Sequence, residues 1–175
     1  QSIITPFNRA NVVTAQPDSH VHSGALYGQA TYHLTDKLGL IAGVRYTEDR
    51  KAIFQNIQRV PYNPALPPFS FIADPPPKSY VAWTPKAALE WQLRPDVFVY
   101  GSATKGYKSG GTNFAGTNLL ALTFAPENLW SYEAGVKTDW LDHRLRVNLT
   151  GFYYDYSDLQ VQSLIAPGVV SIGNA

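Results

Sequence analysis

The stretch SYVAWTPKAALEWQL, Ser79–Leu93, decides the fold. A β-strand sends successive side chains to opposite faces. Read with that period, one face is Trp83, Pro85, Ala87, Leu89 and Trp91, apolar throughout and ended by Trp on both sides. The other face is Thr84, Lys86, Ala88, Glu90 and Gln92. A helical reading competes locally, because Thr84-Pro85-Lys86 followed by Ala-Ala-Leu-Glu has the form of a capped helix start. Pairing with neighbouring strands is expected to override so weak a propensity.

The pattern recurs along the chain. Tyr132, Ala134, Val136, Thr138 and Trp140 oppose Ser131, Glu133, Gly135, Lys137 and Asp139. Leu38, Leu40, Ala42, Val44 and Tyr46 oppose Gly39, Ile41, Gly43, Arg45 and Thr47. Leu145, Val147, Leu149, Gly151 and Tyr153 oppose Arg146, Asn148, Thr150, Phe152 and Tyr154. Eight residues separate Trp83 from Trp91, and eight separate Tyr132 from Trp140. At about 3.3 Å per residue and a tilt of roughly 40°, that covers about 20 Å along a membrane normal, close to the ~25 Å apolar band between the aromatic girdles of an outer-membrane barrel. Tyr and Trp suit such girdles because each ring has an apolar body and a polar atom.

The alternation and the turn residues give six strands in three hairpins: Ser23–Leu34 with Leu38–Lys51, Ser79–Leu93 with Val97–Lys105, and Glu127–Leu141 with Arg144–Gln162. A seventh begins near Val169. Thr35-Asp36-Lys37, Arg94-Pro95-Asp96 and Asp142-His143 make the tight turns. The connections between hairpins are long. Ala52–Lys78 holds seven prolines and is expected to carry no regular structure. Gly106–Pro126 is rich in Gly, Asn and Thr, and residues 1–22 read as the end of a further loop. Ala125-Pro126-Glu127-Asn128 is a second possible helix start. Antiparallel strands then gather the short turns at one end and the long loops at the other, as in bacterial barrels. The fold expected is all-β, an antiparallel meander of six to seven strands forming part of a transmembrane β-barrel. The competing architecture is a soluble β-sandwich, which rarely sorts its loops by length.

Composition excludes other classes. The 175 residues contain no Cys, so disulfides and cysteine-ligated metals are absent. A net charge of +1 offers no field for nucleic acid. No apolar run reaches the ~18 residues of a membrane helix. The chain begins at Gln1 and holds no Met, which reads as processing or cutting of a longer product. Gly101-Ser-Ala-Thr-Lys-Gly106-Tyr107-Lys108-Ser109 misses a phosphate-binding loop, since Tyr107 stands where Lys should come directly after the second Gly. His20 and His22 lack a third ligand at convincing spacing, and His33 and His143 read as lumen or turn residues. Asn148-Leu149-Thr150 has the form of a glycosylation acceptor but falls on a strand. No catalytic constellation, cofactor or metal site is predicted. Arg45, Lys86, Glu90, Glu133, Lys137 and Asp139 are expected to line a polar lumen wall and to pair with one another there. The loop aromatics Tyr62, Phe69, Phe71, Tyr107 and Phe114 are the candidates for ligand contact.

Three runs carry a family resemblance. Gly43-Val-Arg-Tyr-Thr-Glu-Asp-Arg-Lys51 and Lys105-Gly-Tyr-Lys-Ser-Gly-Gly111 resemble barrel strands of TonB-dependent outer-membrane receptors. Phe124-Ala-Pro-Glu-Asn-Leu-Trp-Ser-Tyr-Glu-Ala-Gly-Val-Lys137 resembles that family's "PE…YE.G.K" strand and continues into Arg144–Gln160. Asn174-Ala175 resembles the start of the next strand. The resemblance implies a barrel of about 22 strands around a plug. It implies a Gram-negative outer-membrane location, contact with membrane lipid, and uptake of a small-molecule ligand such as a ferric siderophore. Energy would come from the TonB protein, reached through the plug. Residues 1–175 then belong to the barrel domain, with plug, TonB-contacting segment and closing strand lying elsewhere. Six strands cannot close such a barrel, so this stretch alone is not expected to transport. A passive porin or adhesive barrel, and a soluble carbohydrate-binding sandwich, are the alternative functions.

Overall fold

A computed structural model describes residues 3–5, 11–61, 65, 67–113, 123–166 and 169–175, and they contain strands and no helix. The strands are β1 (Ile3–Thr5), β2 (Asn11–Thr35), β3 (Leu38–Pro61), β4 (Phe69–Ala73), β5 (Lys78–Arg94), β6 (Val97–Lys108), β7 (Gly111–Thr112), β8 (Thr123–Phe124), β9 (Glu127–Trp140), β10 (Leu145–Ser157), β11 (Gln160–Ala166) and β12 (Val169–Asn174). One antiparallel sheet runs β1-β2-β3-β5-β6-β9-β10, with β4 added beside the loop end of β3. Two further two-stranded sheets, β7–β8 and β11–β12, sit apart from this ladder.

Register carries the alternation across the whole sheet. One rung reads Tyr32, Leu40, Leu89, Gly101, Ala134, Gly151. The adjacent rung, on the opposite face, reads Thr31, Ile41, Ala88, Ser102, Glu133, Phe152. A slip of one residue in any strand would invert its faces, so the apolar pattern fixes the register. Trp83 packs against Tyr46 at 4.9 Å between ring centres, on the loop side of the apolar face. Tyr132 pairs through Ala103 with Ala87 rather than with Trp83. Likewise Val136, not Trp140, shares the rung of Trp91. Both aromatic limits are displaced toward the turns on β9, so the apolar band runs obliquely across the rungs. Tilted strands require that obliquity if the band is to lie level.

The sheet has one layer. Only Tyr80 and Ala82 are buried apolar residues among those described, whereas Trp83, Trp140 and Leu149 remain 59%, 55% and 69% exposed. A sandwich would bury the inner faces of two sheets in a shared core about 10 Å thick. A continuous exposed apolar band without such a core calls for a non-aqueous neighbour.

The six expected strands are all present, the first four at greater length and the last two shorter. Residues 11–22 belong to β2, where a loop was expected, and they pair with the outer half of β3. The expectation that Ala52–Lys78 lacks regular structure is also corrected. Its first nine residues are free of proline, and β3 continues through them to Pro61, with β4 pairing alongside. The prolines mark strand ends and gaps, where no amide is owed to a ladder. The expected strand Arg144–Gln162 is broken at Asp158, whose φ is 55°. Beyond that break β11 leaves the main sheet and pairs with β12, so the strand near Val169 does not extend the meander. Neither possible helix forms: Thr84–Glu90 lies in β5, and Ala125-Pro126 links β8 to β9.

Candidate ligand cavity at the loop end

The tight turns Thr35–Leu38, Arg94–Val97 and Leu141–Arg144 share one end of the sheet, and the long connections share the other. At the loop end lies a cavity of about 400 Å³. Its wall comes from β2, β3 and β5 through Val21, Lys51, Ile53, Lys78 and Tyr80. Thr112, Asn113 and Phe124 of the β7–β8 region close one side, Pro75 and Pro76 another, and Gln162, Val170 and Ile172 of β11–β12 lie over it.

The pairing of β3 with β5 sets Lys51 directly opposite Lys78. Like charges so placed repel. The ring of Tyr80 offsets this, with the Lys51 and Lys78 ammoniums 5.8 and 5.5 Å from its centre. Lys51 Nζ also donates to the Gly110 carbonyl at 2.8 Å. Tyr80 itself is 5% exposed and lies on the loop side of Trp83, outside the apolar band. It rests on Gly110, where a Cβ would stand 2.6 Å from the ring and 2.5 Å from the Phe124 carbonyl oxygen. Only glycine leaves room for that approach. Burial raises the Tyr80 hydroxyl pKa. Tyr107, two rungs on the loop side of Trp130, is pushed up to about 12 by burial, then by the charge of Asp49. Both phenols therefore stay neutral at physiological pH. Among the described residues no Asp or Glu lines the cavity, and apart from its two ammoniums the described lining is apolar or uncharged.

The expected site residues are distributed unevenly. Tyr107 lines a neighbouring cleft of about 300 Å³ with Arg45, Thr47 and Asp49. Phe69 and Phe71 lie in β4, opposite Arg59 and Ile57. Tyr62 and Phe114 fall outside the described residues. Arg45, Lys86, Glu90, Glu133, Lys137 and Asp139 share the polar face. They do not pair with one another as expected. Asp139 instead binds Arg146 on the adjacent strand at 2.6 Å, with His143 at 3.2 Å. The Lys137 ammonium stands 5.7 and 5.5 Å above the Phe98 and Tyr100 rings, Arg45 Nε donates to Thr47 at 3.1 Å, and Glu133 accepts from Ser131 at 3.4 Å. Cross-strand neighbours lie about 5 Å apart, whereas Lys86 and Glu133, like Glu90 and Lys137, stand on different rungs with β6 between their strands. His20 contacts Asp18 at 3.4 Å, and no metal-binding group of three or more His, Cys, Asp or Glu occurs among the described residues.

Sequence reasoning missed Lys51, Lys78 and Tyr80. Their signal was available: Lys51 and Lys78 flank the proline-rich insertion, and any antiparallel closure of that loop must bring its two ends together.

A one-layered antiparallel sheet with an apolar band on one face, a polar opposite face and all long loops at one end defines a wall of the transmembrane β-barrel class. The chain belongs to the TonB dependent receptor-like β-barrel family, whose profile matches residues 1–175. This is a family of outer-membrane transport receptors of Gram-negative bacteria, not of enzymes. The metal-pseudopaline receptor CntO of Pseudomonas aeruginosa is 34% identical over 87 residues, which cover 50% of this chain and 12% of the receptor. The ferric yersiniabactin uptake receptor FyuA of Yersinia pestis superposes with a TM-score of 0.72 at 23% identity, over 93% of this chain and 23% of that one. The alcaligin outer-membrane receptor FauA of Bordetella pertussis gives 0.51 at 17% identity, over 94% of this chain and 26% of that one. The chain thus spans about a quarter or less of the length of these relatives.

Proposed function

We propose that this chain forms part of the wall and mouth of a receptor that takes up an anionic metal chelate, a ferric siderophore, with energy supplied through TonB. The apolar face meets membrane lipid, the polar face lines the lumen, and the cavity at the loop end captures the chelate. A plug domain elsewhere in the receptor makes the connection to TonB. The observation that carries the reading is the Lys51–Tyr80–Lys78 cluster in a cavity whose described lining holds no carboxylate. Two ammoniums beside apolar walls favour a ligand that is both anionic and partly apolar. The names of CntO and FyuA, each a receptor for a metal complex, point the same way.

The complete receptor in receptor-deficient, iron-limited cells tests this with a panel of ferric siderophores. Exchanging both Lys51 and Lys78 for Gln is expected to weaken binding of anionic chelates at least tenfold, with a smaller loss at high salt. Uptake should stop when the inner membrane is uncoupled. Uptake that survives uncoupling would indicate a passive barrel, and equal affinity after the double exchange would remove the cavity from the mechanism.

A further inference from the structure

The β11–β12 hairpin lies over the cavity yet shares no backbone ladder with the strands that build its wall. Side chains hold it down, amides together with the Glu127 carboxylate, which accepts from the Gln160 backbone amide at 2.8 Å. Asn113, only 7% exposed, donates from Nδ2 to the Ile172 carbonyl and accepts at Oδ1 from the Ile172 amide, both at 2.8 Å. Its own carbonyl accepts from Nε2 of the buried Gln55 on β3 at 3.0 Å, so Asn113 joins wall to roof. The reverse contact comes from the hairpin. Asn174 accepts from the Ala125 amide at 2.7 Å and donates to the Ala125 carbonyl at 3.1 Å. Gln160 donates to the carbonyls of Ser109 at 3.1 Å and Ala125 at 3.0 Å.

A residue's N–H and C=O point to the same side of its strand. Ile172 therefore presents one peptide edge, and the Asn113 amide fills it as a strand of one residue. Asn174 does the same for Ala125. A ladder would propagate such pairing along the strand, whereas an amide contributes one rung and no more. Such a closure of two or three rungs separates far more readily than the main sheet unfolds. A pivot is present at the hairpin base. Asp158 has a φ of 55°, Ala175 N donates to Leu159 O at 2.9 Å, and Asn174 Nδ2 donates to Asp158 O at 2.8 Å.

We infer that β11–β12 is a releasable roof over the cavity, latched by the reciprocal amides of Asn113 and Asn174 with Gln160, and that it swings about Asp158 to admit the guest. This requires the cavity and not the identity of its guest, so it stands apart from the uptake reading.

These 175 residues contain no cysteine, which gives a direct test. In a complete receptor with any cysteine outside this stretch replaced by Ser, Thr112→Cys places a single thiol on the cavity wall, and its reaction with a small maleimide reports opening. Asn113→Asp, which turns the donor to Ile172 into a repelling oxygen, is expected to raise the labelling rate about tenfold. Asn174→Asp, acting from the hairpin side, is expected to do the same while leaving Asn113 intact. A thiol at Asp96, in a turn at the far end, should keep its rate in both variants. Unchanged labelling at Thr112→Cys in both variants overturns the roof. So does a rise confined to Asn113→Asp, which would mean local loss of β7, or an equal rise at position 96, which would mean general loosening.

Discussion

The banded wall and the loop-end mouth are built from the same strands by different rules. In the wall, between Lys86 and Trp91 on β5, backbone ladders run across six strands, and large apolar side chains stay exposed. In the mouth, the ladders give out. The β5–β6 pairing stops at Lys86↔Thr104, and two small sheets, β7–β8 and β11–β12, are joined to the rest largely by side chains. The most buried groups are there, Gln55 at 2%, Tyr80 at 5% and Asn113 at 7%. A wall stabilised by peptide pairing and a binary pattern tolerates change that respects the face. A mouth specified by individual atoms does not. The unpaired buried groups make the same contrast: Gln55 Oε1 and the hydroxyls of Tyr80 and Tyr107, all at the loop end, lack a hydrogen-bond partner among the described residues.

The sharpest way to break the contrast uses two adjacent wall residues. Ala87 lies on the apolar face midway between Trp83 and Trp91, and Ala88 on the polar face. Ala87→Arg is expected to destabilise the complete barrel in lipid vesicles by about 2–4 kcal/mol, the cost of a cation at the bilayer midplane, whereas Ala88→Arg should cost less than about 1 kcal/mol. Denaturant titrations of the two variants measure the difference. Equal losses would mean that the faces have been assigned wrongly.

A smaller effect compares one glycine from each region. At Gly110 an added methyl meets the Phe124 carbonyl oxygen at 2.5 Å as well as the Tyr80 ring, and backbone cannot step aside. At Gly135 it meets only the outer atoms of the Tyr100 ring, at 2.6 Å, and that ring can turn at the expense of its 2.9 Å bond to Thr150. Gly110→Ala is expected to cost about 1–3 kcal/mol locally, as overpacking does. It should be seen as lost hydrogen-exchange protection at residues 108–113 together with weaker ligand binding. Gly135→Ala should cost about 1 kcal/mol and leave binding intact. Matching losses of affinity would show that the mouth is no more exacting than the wall.

How much could be read from sequence divides along the same line. Period-two alternation and paired aromatics such as Trp83 and Trp91 revealed the wall, because register must obey the apolar pattern. Strand length was underestimated where no membrane sets the pattern: residues 11–22 and 52–61 alternate without a clean apolar face, and proline density obscured the proline-free run Ala52–Val60. The break at Asp158 has no composition signal, because Asp tolerates a left-handed φ without demanding one. The cavity was the least legible part. Lys51, Lys78, Tyr80 and Asn113 are brought together by closures of 27 to 62 residues, and beyond the place of Lys51 and Lys78 at the two ends of the proline-rich insertion no local signal announces the meeting. The polar pairs failed for a related reason, since alternation identifies a face but not the rung on which a partner stands.

The turn end provides the smallest test, and a control for the others. Leu141, Asp142 and His143 have φ values of 53°, 55° and 65°, three successive left-handed residues with no glycine, closed by Arg144 N donating to Leu141 O at 3.2 Å. Each such residue costs roughly 1 kcal/mol, less for Asp than for Leu. Residues on either side of the turn hold that strain in place. Arg146 and Asp139 form a two-point bond at 2.6 and 3.0 Å across the strand ends, and His143 leans on the same carboxylate. Asp142→Gly relieves the backbone at the position where least is lost, since no ion pair engages Asp142 among the described residues. It is expected to stabilise the barrel by about 0.5 kcal/mol, partly offset by the greater freedom of glycine in the unfolded chain. Ligand affinity and the labelling of Thr112→Cys should not change, because the whole apolar band lies between this turn and the mouth. A shift in either would mean that the wall transmits strain along its strands, and the two regions could no longer be treated as independent.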